Sequence, residues 1–357
     1  MHNNFEFQAY RTKTLNKVIS QLRSSSKPLA VWGCGAEGKR VLDFLHESSL
    51  HPDCFIDSNP QKQGGMMVDK YPIASPATVL RTKSHYVVVS SVKFSGEIRS
   101  DLVQNDFALD TDCFFFSTAL LLLLHDISDA HGGWCPICEE ETTFVEVGTW
   151  LRDDYKCLSC GSIPRQRSLI RRVNSFVPNW QELTLHESSP SIISLSFFEK
   201  RCKTYSYSNY YPNATCGSYI NGIRCEDLES LTYPNNSIDV FITQDVFEHL
   251  MNPKLAFQEI ERVLKVGGYH IFTVPIYETD ESIQCAKLTS DSIEHLAEPE
   301  YHGPFLVTYH HSLKITEIIG VNMLTTIVME RDRTFGIDGE FLHVFVCKKI
   351  NNQVIAN

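Results

Sequence analysis

The sequence predicts an α/β protein in three parts, with two mononucleotide-type domains flanking a small module held by four cysteines. An apolar run near residue 30 stops at a glycine turn and gives way to helix formers. Two close cysteine pairs sit near the middle of the chain. After about residue 180, apolar runs ending in polar or acidic residues alternate with helical patterns. The expected boundaries are 1–125, 126–175 and 176–357. At about 150 residues per domain, the length suits two large domains that can each bury a core.

The first element is Lys27-Pro28-Leu29-Ala30-Val31-Trp32, a short strand that stops at Gly33. Gly33, Gly35 and Gly38 follow, then helix formers from Lys39 to His46. In such a turn the first glycine permits the bend, the second lets a ligand approach the backbone, and the third lets helix pack on strand. The free N–H groups of the helix start suit an anion. A second strand, Cys54-Phe55-Ile56, ends at Asp57, whose carboxylate can accept from a ribose hydroxyl. A third strand is expected from His85 to Ser90. A nucleotide site at Gly33, Gly35, Gly38 and Asp57 is the functional expectation. The alternative is a fold of this kind that holds nothing. The run Phe114 to Leu124 is too short to span a bilayer and is expected to form a buried helix.

Cys135-Pro-Ile-Cys138 and Cys157-Leu-Ser-Cys160 form the middle module. Two thiolate pairs at this spacing complete a closed tetrahedral shell, so Cys135, Cys138, Cys157 and Cys160 are expected to hold a structural Zn²⁺. A closed shell leaves no open position, so the chemistry must lie elsewhere.

Overall composition is 43% hydrophobic and 21% charged, with net charge −11 and pI about 5.7. That balance opposes a surface that tracks nucleic-acid phosphates. Arg165, Arg167, Arg171 and Arg172 form a local basic cluster, expected to be a solvated helix face. Twelve cysteines are too few for a disulfide scaffold, and the eight outside the module read as reduced thiols in a cytoplasmic protein. The stretch Met1 to Glu6 has no signal-peptide pattern.

In the third part, Leu183-Thr184-Leu185-His186-Glu187 reads as a strand ending in an acid, with Ser188-Ser189-Pro190-Ser191 turning after it. Lys203 to Ser206 reads as the next strand. Glu226-Asp227-Leu228 precede an apolar strand, Val240-Phe241-Ile242-Thr243, which is followed by Gln244 and Asp245. A helix from Pro253 to Lys265 carries Ala256, Phe257, Ile260, Val263 and Leu264 at helical spacing, closing at Gly267-Gly268. A strand is expected from Tyr269 to Val274. Glu248-His249 reads as a helix-start packing pair. A stretch dense in titratable groups follows, with His295, His302, His310 and His311 between residues 294 and 311.

Two resemblances extend this reading. Phe55-Ile56-Asp57-Ser58-Asn59-Pro60, then Gly64-Gly65 and Tyr71-Pro72-Ile73, resemble the Rossmann-like domains of sugar acetyltransferases and of sugar C-methyltransferases, over about residues 28–110. That implies a sugar-related context and a nucleotide-sugar as a potential partner. Asp227-Leu228, Asn236 to Val240, Phe247-Glu248-His249-Leu250 and Glu259 to Gly268 resemble the class I S-adenosylmethionine-dependent methyltransferases, over about 181–348. The module with Pro164-Arg165-Gln166-Arg167 looks like a branch of that family associated with surface glycans.

The second resemblance implies a site. Glu187, Ser188 and Ser189 would meet the methionyl part of S-adenosylmethionine, although the family's glycines are missing there. The ribose carboxylate is missing too, and Ser208 and Asn209 stand nearest, with Asn209 able to hydrogen-bond without charge assistance. Glu226, Asp227 and Leu228 would face adenine, and Gln244 and Asp245 the methyl group. His302, then His295 and His310, are the candidate bases for an acceptor hydroxyl. The implied function is methyl transfer to a hydroxyl or amine, on a small molecule or a glycan precursor. Two rivals are an RNA methyltransferase and a non-catalytic nucleotide-sugar-binding or scaffold protein.

Overall fold

The computed structural model describes residues 2–68, 70–290 and 292–351, so the end of the expected third domain, 352–357, lies outside the described residues. The chain divides into two compact units. One comprises Met1–Gly132, Thr142–Thr149 and Lys156–Gly161; the other comprises Gly133–Glu141, Trp150–Tyr155 and Ser162–Asn357. Among the described residues, no helix is long and apolar enough to cross a membrane.

The first unit is built on β1 (Leu29–Trp32), β2 (Pro52–Ile56), β3 (Met66–Met67), β4 (Tyr71–Ala74), β5 (Tyr86–Val89) and β6 (Cys113–Phe115), in the spatial order β3-β4-β2-β1-β5-β6. All neighbours are parallel except β3 and β4. Side chains alternate across a strand, so Val31, Phe55 and Val88 join one core while Ala30, Trp32, Ile56 and Val87 join the other. Both faces are covered, which is why β1 is apolar at every position. The run Phe114 to Leu124 is not one helix. It gives the end of β6 and then a short helix, Thr118–Leu123, capped by the Ser117 hydroxyl. That cap interrupts the apolar run and sets the helix start.

The cysteine region carries a three-stranded sheet, β7 (Asp129–Cys135), β8 (Glu140–Glu146) and β9 (Tyr155–Cys157).

The second unit uses β10 (Thr184–Ser188), β11 (Thr204–Asn209), β12 (Tyr219–Ile220), β13 (Ile223–Cys225), β14 (Ile238–Gln244) and β15 (Leu264–Thr273). The sheet runs β12-β13-β11-β10-β14-β15, then His343–Lys349 and Met323–Met329. The five strands from β13 to β15 are parallel, and the last two strands return antiparallel. From β10 the chain steps to β11 on one side and later to β14 on the other. That reversal opens a crevice at the carboxyl ends of β10 and β14, the usual ligand position in such sheets. Ser188 faces Ser208 on one side and Thr243 on the other, so these strand ends line up.

The helix before β15 ends earlier than its periodicity suggests. It spans Pro253–Val263, and Leu264 is already extended. Gly267 has φ +84°, and a Cβ on Gly268 would stand 2.8 Å from the Asp239 carbonyl. The two glycines therefore serve the bend into the sheet rather than a helix cap, and the strand begins before Tyr269.

Candidate active site

Glu187 ends β10 inside the crevice and is completely buried. Its Oε1 accepts from Gln244 Nε2 at 2.7 Å and its Oε2 from the Tyr205 hydroxyl at 2.9 Å. Burial outweighs these donors and the Ser194 hydroxyl, pushing the carboxyl up to about 7. A carboxylate so placed gains from a cation, such as an ammonium group, brought against it.

The turn after β10 lacks glycine but not the conformation that favours one. Ser189 has φ +57°, and its N–H donates to the Ser208 carbonyl at 2.7 Å. Ser191 caps the next helix and accepts from Gln166 Nε2 at 3.1 Å. Ser188 is buried.

Across the crevice, Asn209 is half-buried, and its carbonyl accepts from the Glu226 N–H. Glu226 is taken up by the scaffold: Arg224 Nε lies 2.6 Å away, and the Thr232 N–H and hydroxyl also reach the carboxylate. Leu228 packs into the core. Asp227 is half-buried and accepts from the Glu229 N–H at 2.8 Å through Oδ1. Of these three, Asp227 keeps the more accessible carboxylate.

At the end of β14, Asp245 sits at φ +51° and is held by two cations. Arg152 Nη2 stands 2.7 Å and Arg165 Nε 3.0 Å from Oδ2, and the Thr273 hydroxyl donates to Oδ1. Burial raises the carboxyl, but Arg152 and Arg165 overcome it and hold Asp245 below the usual carboxylate range. The basic cluster is therefore not a solvated face. Arg167 is fully buried and donates to the Tyr155 and Gly336 carbonyls, while Arg171 and Arg172 pair with Glu330. Helical spacing alone could not reveal this, because Asp245, Glu330 and Gly336 are distant in sequence.

Beyond Asp245, Glu248 lies on a short 3₁₀ turn with 2% of its surface exposed. Among the described residues, neither of its carboxylate oxygens meets a hydrogen-bond donor. Burial, then the nearby Asp245 charge, push its carboxyl well above the usual range. That does not fit the packing pair expected for Glu248-His249. The histidines divide. His302 and His310 converge on the two oxygens of Glu300, at 3.2 and 2.8 Å. His311 is buried against the Phe247 carbonyl, and burial lowers it to about 4. His295 lies exposed on a short strand paired with Ala286.

Residues 200–272, from just before β11 into β15, match the methyltransferase domain family. That stretch of the chain is a methyltransferase-type domain. Residues 25–110 match a second family, described as C2185-like, N-terminal. No curated protein matches the chain. Among solved structures, the chain is similar to the S-adenosylmethionine-dependent methyltransferase from Mesorhizobium loti, at 12% identity and TM-score 0.36, covering 51% of this chain and 97% of that one. It is also similar to the PH0226 protein from Pyrococcus horikoshii OT3, at 11% identity and TM-score 0.35, covering 52% and 90%. At these levels the likeness says nothing of activity.

Two further features of the chain bear on ligands. The sulfurs of Cys135, Cys138, Cys157 and Cys160 all lie within 4.8 Å of one another. A tetrahedral zinc with sulfurs at about 2.3 Å would draw them to roughly 3.8 Å apart. Each pair closes a like turn: the Glu139 N–H donates to the Cys135 carbonyl and the Gly161 N–H to the Cys157 carbonyl, both at 2.8 Å. Glu139 and Gly161 both have positive φ, +59° and +76°. The donor set and the matched turns fit a closed Zn²⁺ shell.

In the first unit, Gly33, Gly35 and Asp57 line a cavity of about 740 Å³, together with Ser90 and Lys93. Gly33 has φ +123°, and a Cβ on Gly38 would lie 1.9 Å from the Gly33 carbonyl oxygen. Asp57 accepts from the Asn59 and Cys34 N–H groups and pairs with Lys62 at 3.1 Å. Burial raises its carboxyl, but these partners prevail and hold it below the usual range.

Proposed function

We propose that the second unit transfers a methyl group from S-adenosylmethionine to a hydroxyl or amine of a sugar, nucleotide-sugar or glycan precursor. The observation that carries this reading is the convergence of polar groups on the β10–β14 crevice, among them the buried carboxyls of Glu187 and Glu248. Glu187, Gln244 and Asp227 stand on its cofactor side, and Glu248, Glu300, His302 and His310 stand beyond the end of β14. The cofactor supplies an electrophilic methyl on a sulfonium cation. Glu187 offers its charge to the cofactor's ammonium, Asp227 offers Oδ2 to the adenine amine, and the serine turn admits the backbone to the methionyl part. The proton of an acceptor hydroxyl passes to the histidine pair on Glu300, and positioning contributes the larger share of the rate.

The sugar context is supported by the glycine-turn cavity of the first unit, which Asp57 lines. An RNA acceptor is opposed by the arginines, since Arg165, Arg171 and Arg172 are occupied by Asp245 and Glu330. The Cys₄ cluster is assigned a structural Zn²⁺. A non-catalytic reading draws on Glu226 and Asp245, both consumed by the scaffold. Isothermal titration with S-adenosylhomocysteine decides between them: saturable binding supports the enzyme, and its absence favours the scaffold.

A further inference from the structure

We infer that Glu248, His249 and His302 form a binding site for a divalent cation, separate from the four-cysteine cluster. One ligand atom from each of these residues lies within 4.8 Å of the others. Two imidazoles and one carboxylate suit a borderline cation such as Zn²⁺, Co²⁺ or Mn²⁺, and three protein ligands leave positions open.

Three observations point to a ligand. Glu248 is buried, yet among the described residues neither of its oxygens meets a donor. A carboxylate in that state is costly unless something neutralises it, and a cation does so directly. His249 Nδ1 donates to the Leu306 carbonyl at 2.8 Å, which leaves the Nε2 lone pair facing Glu248 Oε1 at 3.9 Å. His302 Nε2 is bonded to Glu300 Oε1, which leaves Nδ1 for an ion. A carboxylate behind a ligating histidine is the common outer support of such sites.

The site is nearly closed. Ligand distances of about 2.0–2.2 Å require the three groups to draw together. His302, with 42% of its side chain exposed, has the freedom to turn. Arg152 and Arg165 favour the Glu248 charge from nearby, but both pair with Asp245, and burial still prevails at Glu248.

An open position on the cation would take an oxygen of the acceptor and make its hydroxyl more acidic. His302 then serves as a ligand, and His310 is the proton acceptor. That catalytic role rests on the methyl-transfer reading; the cation site itself does not.

The test uses the full chain, purified with zinc present so that the cysteines are filled, and freed of loosely held metal by a mild chelator. Mn²⁺ is titrated with electron paramagnetic resonance reporting free ion, and Co²⁺ with visible absorption. One saturable equivalent of either ion is expected. Glu248→Gln removes a buried charge and should fold, and His302→Ala alters an exposed residue. Each should weaken binding at least tenfold. No saturable equivalent of either ion in the wild type overturns the site, as does unchanged affinity in both variants. Cation binding without S-adenosylhomocysteine binding would leave the site standing and sink the methyl-transfer reading. The reverse result would do the opposite.

Discussion

Arg152 and Asp245 meet at 2.7 Å with side chains only 4% and 14% exposed, so this ion pair lies almost out of water. Arg152 belongs to a short helix, Leu151–Asp154, and Asp245 ends a central strand of the same unit. Removing one member of such a pair leaves a buried charge uncompensated, at a cost of about 3–5 kcal/mol. Arg165 remains to share the load, so Arg152→Ala should fall toward the lower end. Urea unfolding checks the value, and a loss below about 1 kcal/mol would show the pair to be incidental. The folded Asp245 value lies below the ordinary one. Its stabilising share is therefore present above the unfolded carboxyl pKa and lost as pH falls through the folded one.

Glu187 has the opposite sign. Burial raises its carboxyl to about 7 from 4.5. The unliganded fold thus keeps the full benefit of neutral Glu187 below about pH 4.5 and loses it as pH rises through 7. The span corresponds to on the order of 3 kcal/mol. Stability compared between pH 5 and pH 8 should decline less in Glu187→Gln than in the wild type. Parallel declines would show that Glu187 does not titrate in this range. The same variant should weaken S-adenosylhomocysteine binding, because the charge offered to the ammonium is gone.

Asp227→Ala should weaken S-adenosylhomocysteine by about 1–3 kcal/mol, as expected for a lost hydrogen bond to a buried amine. Calorimetry at fixed pH gives the number. Unchanged affinity removes Asp227 from the cofactor site.

The cysteine cluster should hold one zinc per chain, measured by elemental analysis after gel filtration. Cys157→Ser should lose the metal and lower the melting temperature, because metal affinity at such a site is also folding energy. A stoichiometry well below one would sink the assignment.

His310→Ala should lower turnover by about 10²–10⁴-fold while cofactor affinity stays near wild type, because proton removal counts only in the transition state. A joint collapse of turnover and cofactor binding would show that the histidine is architectural.

Much of the second unit was legible in the sequence, because strand ends and glycine bends follow from local pattern. Leu185 to Glu187 and Val240 to Thr243 both read as strands and both are central. The paired cysteine spacing announced a cluster in the same way. The electrostatic interior was not legible. Arg165 looked like surface because its spacing gives no hint that Asp245, eighty residues on, would come to it. Glu248 looked like packing because a bare carboxylate in a buried position leaves no mark on hydrophobic periodicity. Burial of charge is a property of the assembled chain, and only the assembled chain shows it.

The glycine turn of the first unit separates two duties that a sequence motif merges. Gly38 answers to the backbone alone, since any side chain there would strike the Gly33 carbonyl, whether or not a ligand ever visits. Gly35 is different: a methyl group placed on it would meet nothing within 4 Å. The fold is thus indifferent to Gly35, and only an occupant of the cavity could object to an alanine there. One position works as a hinge pin and the other as a doorway, so this domain's stability and its ligand can be questioned independently.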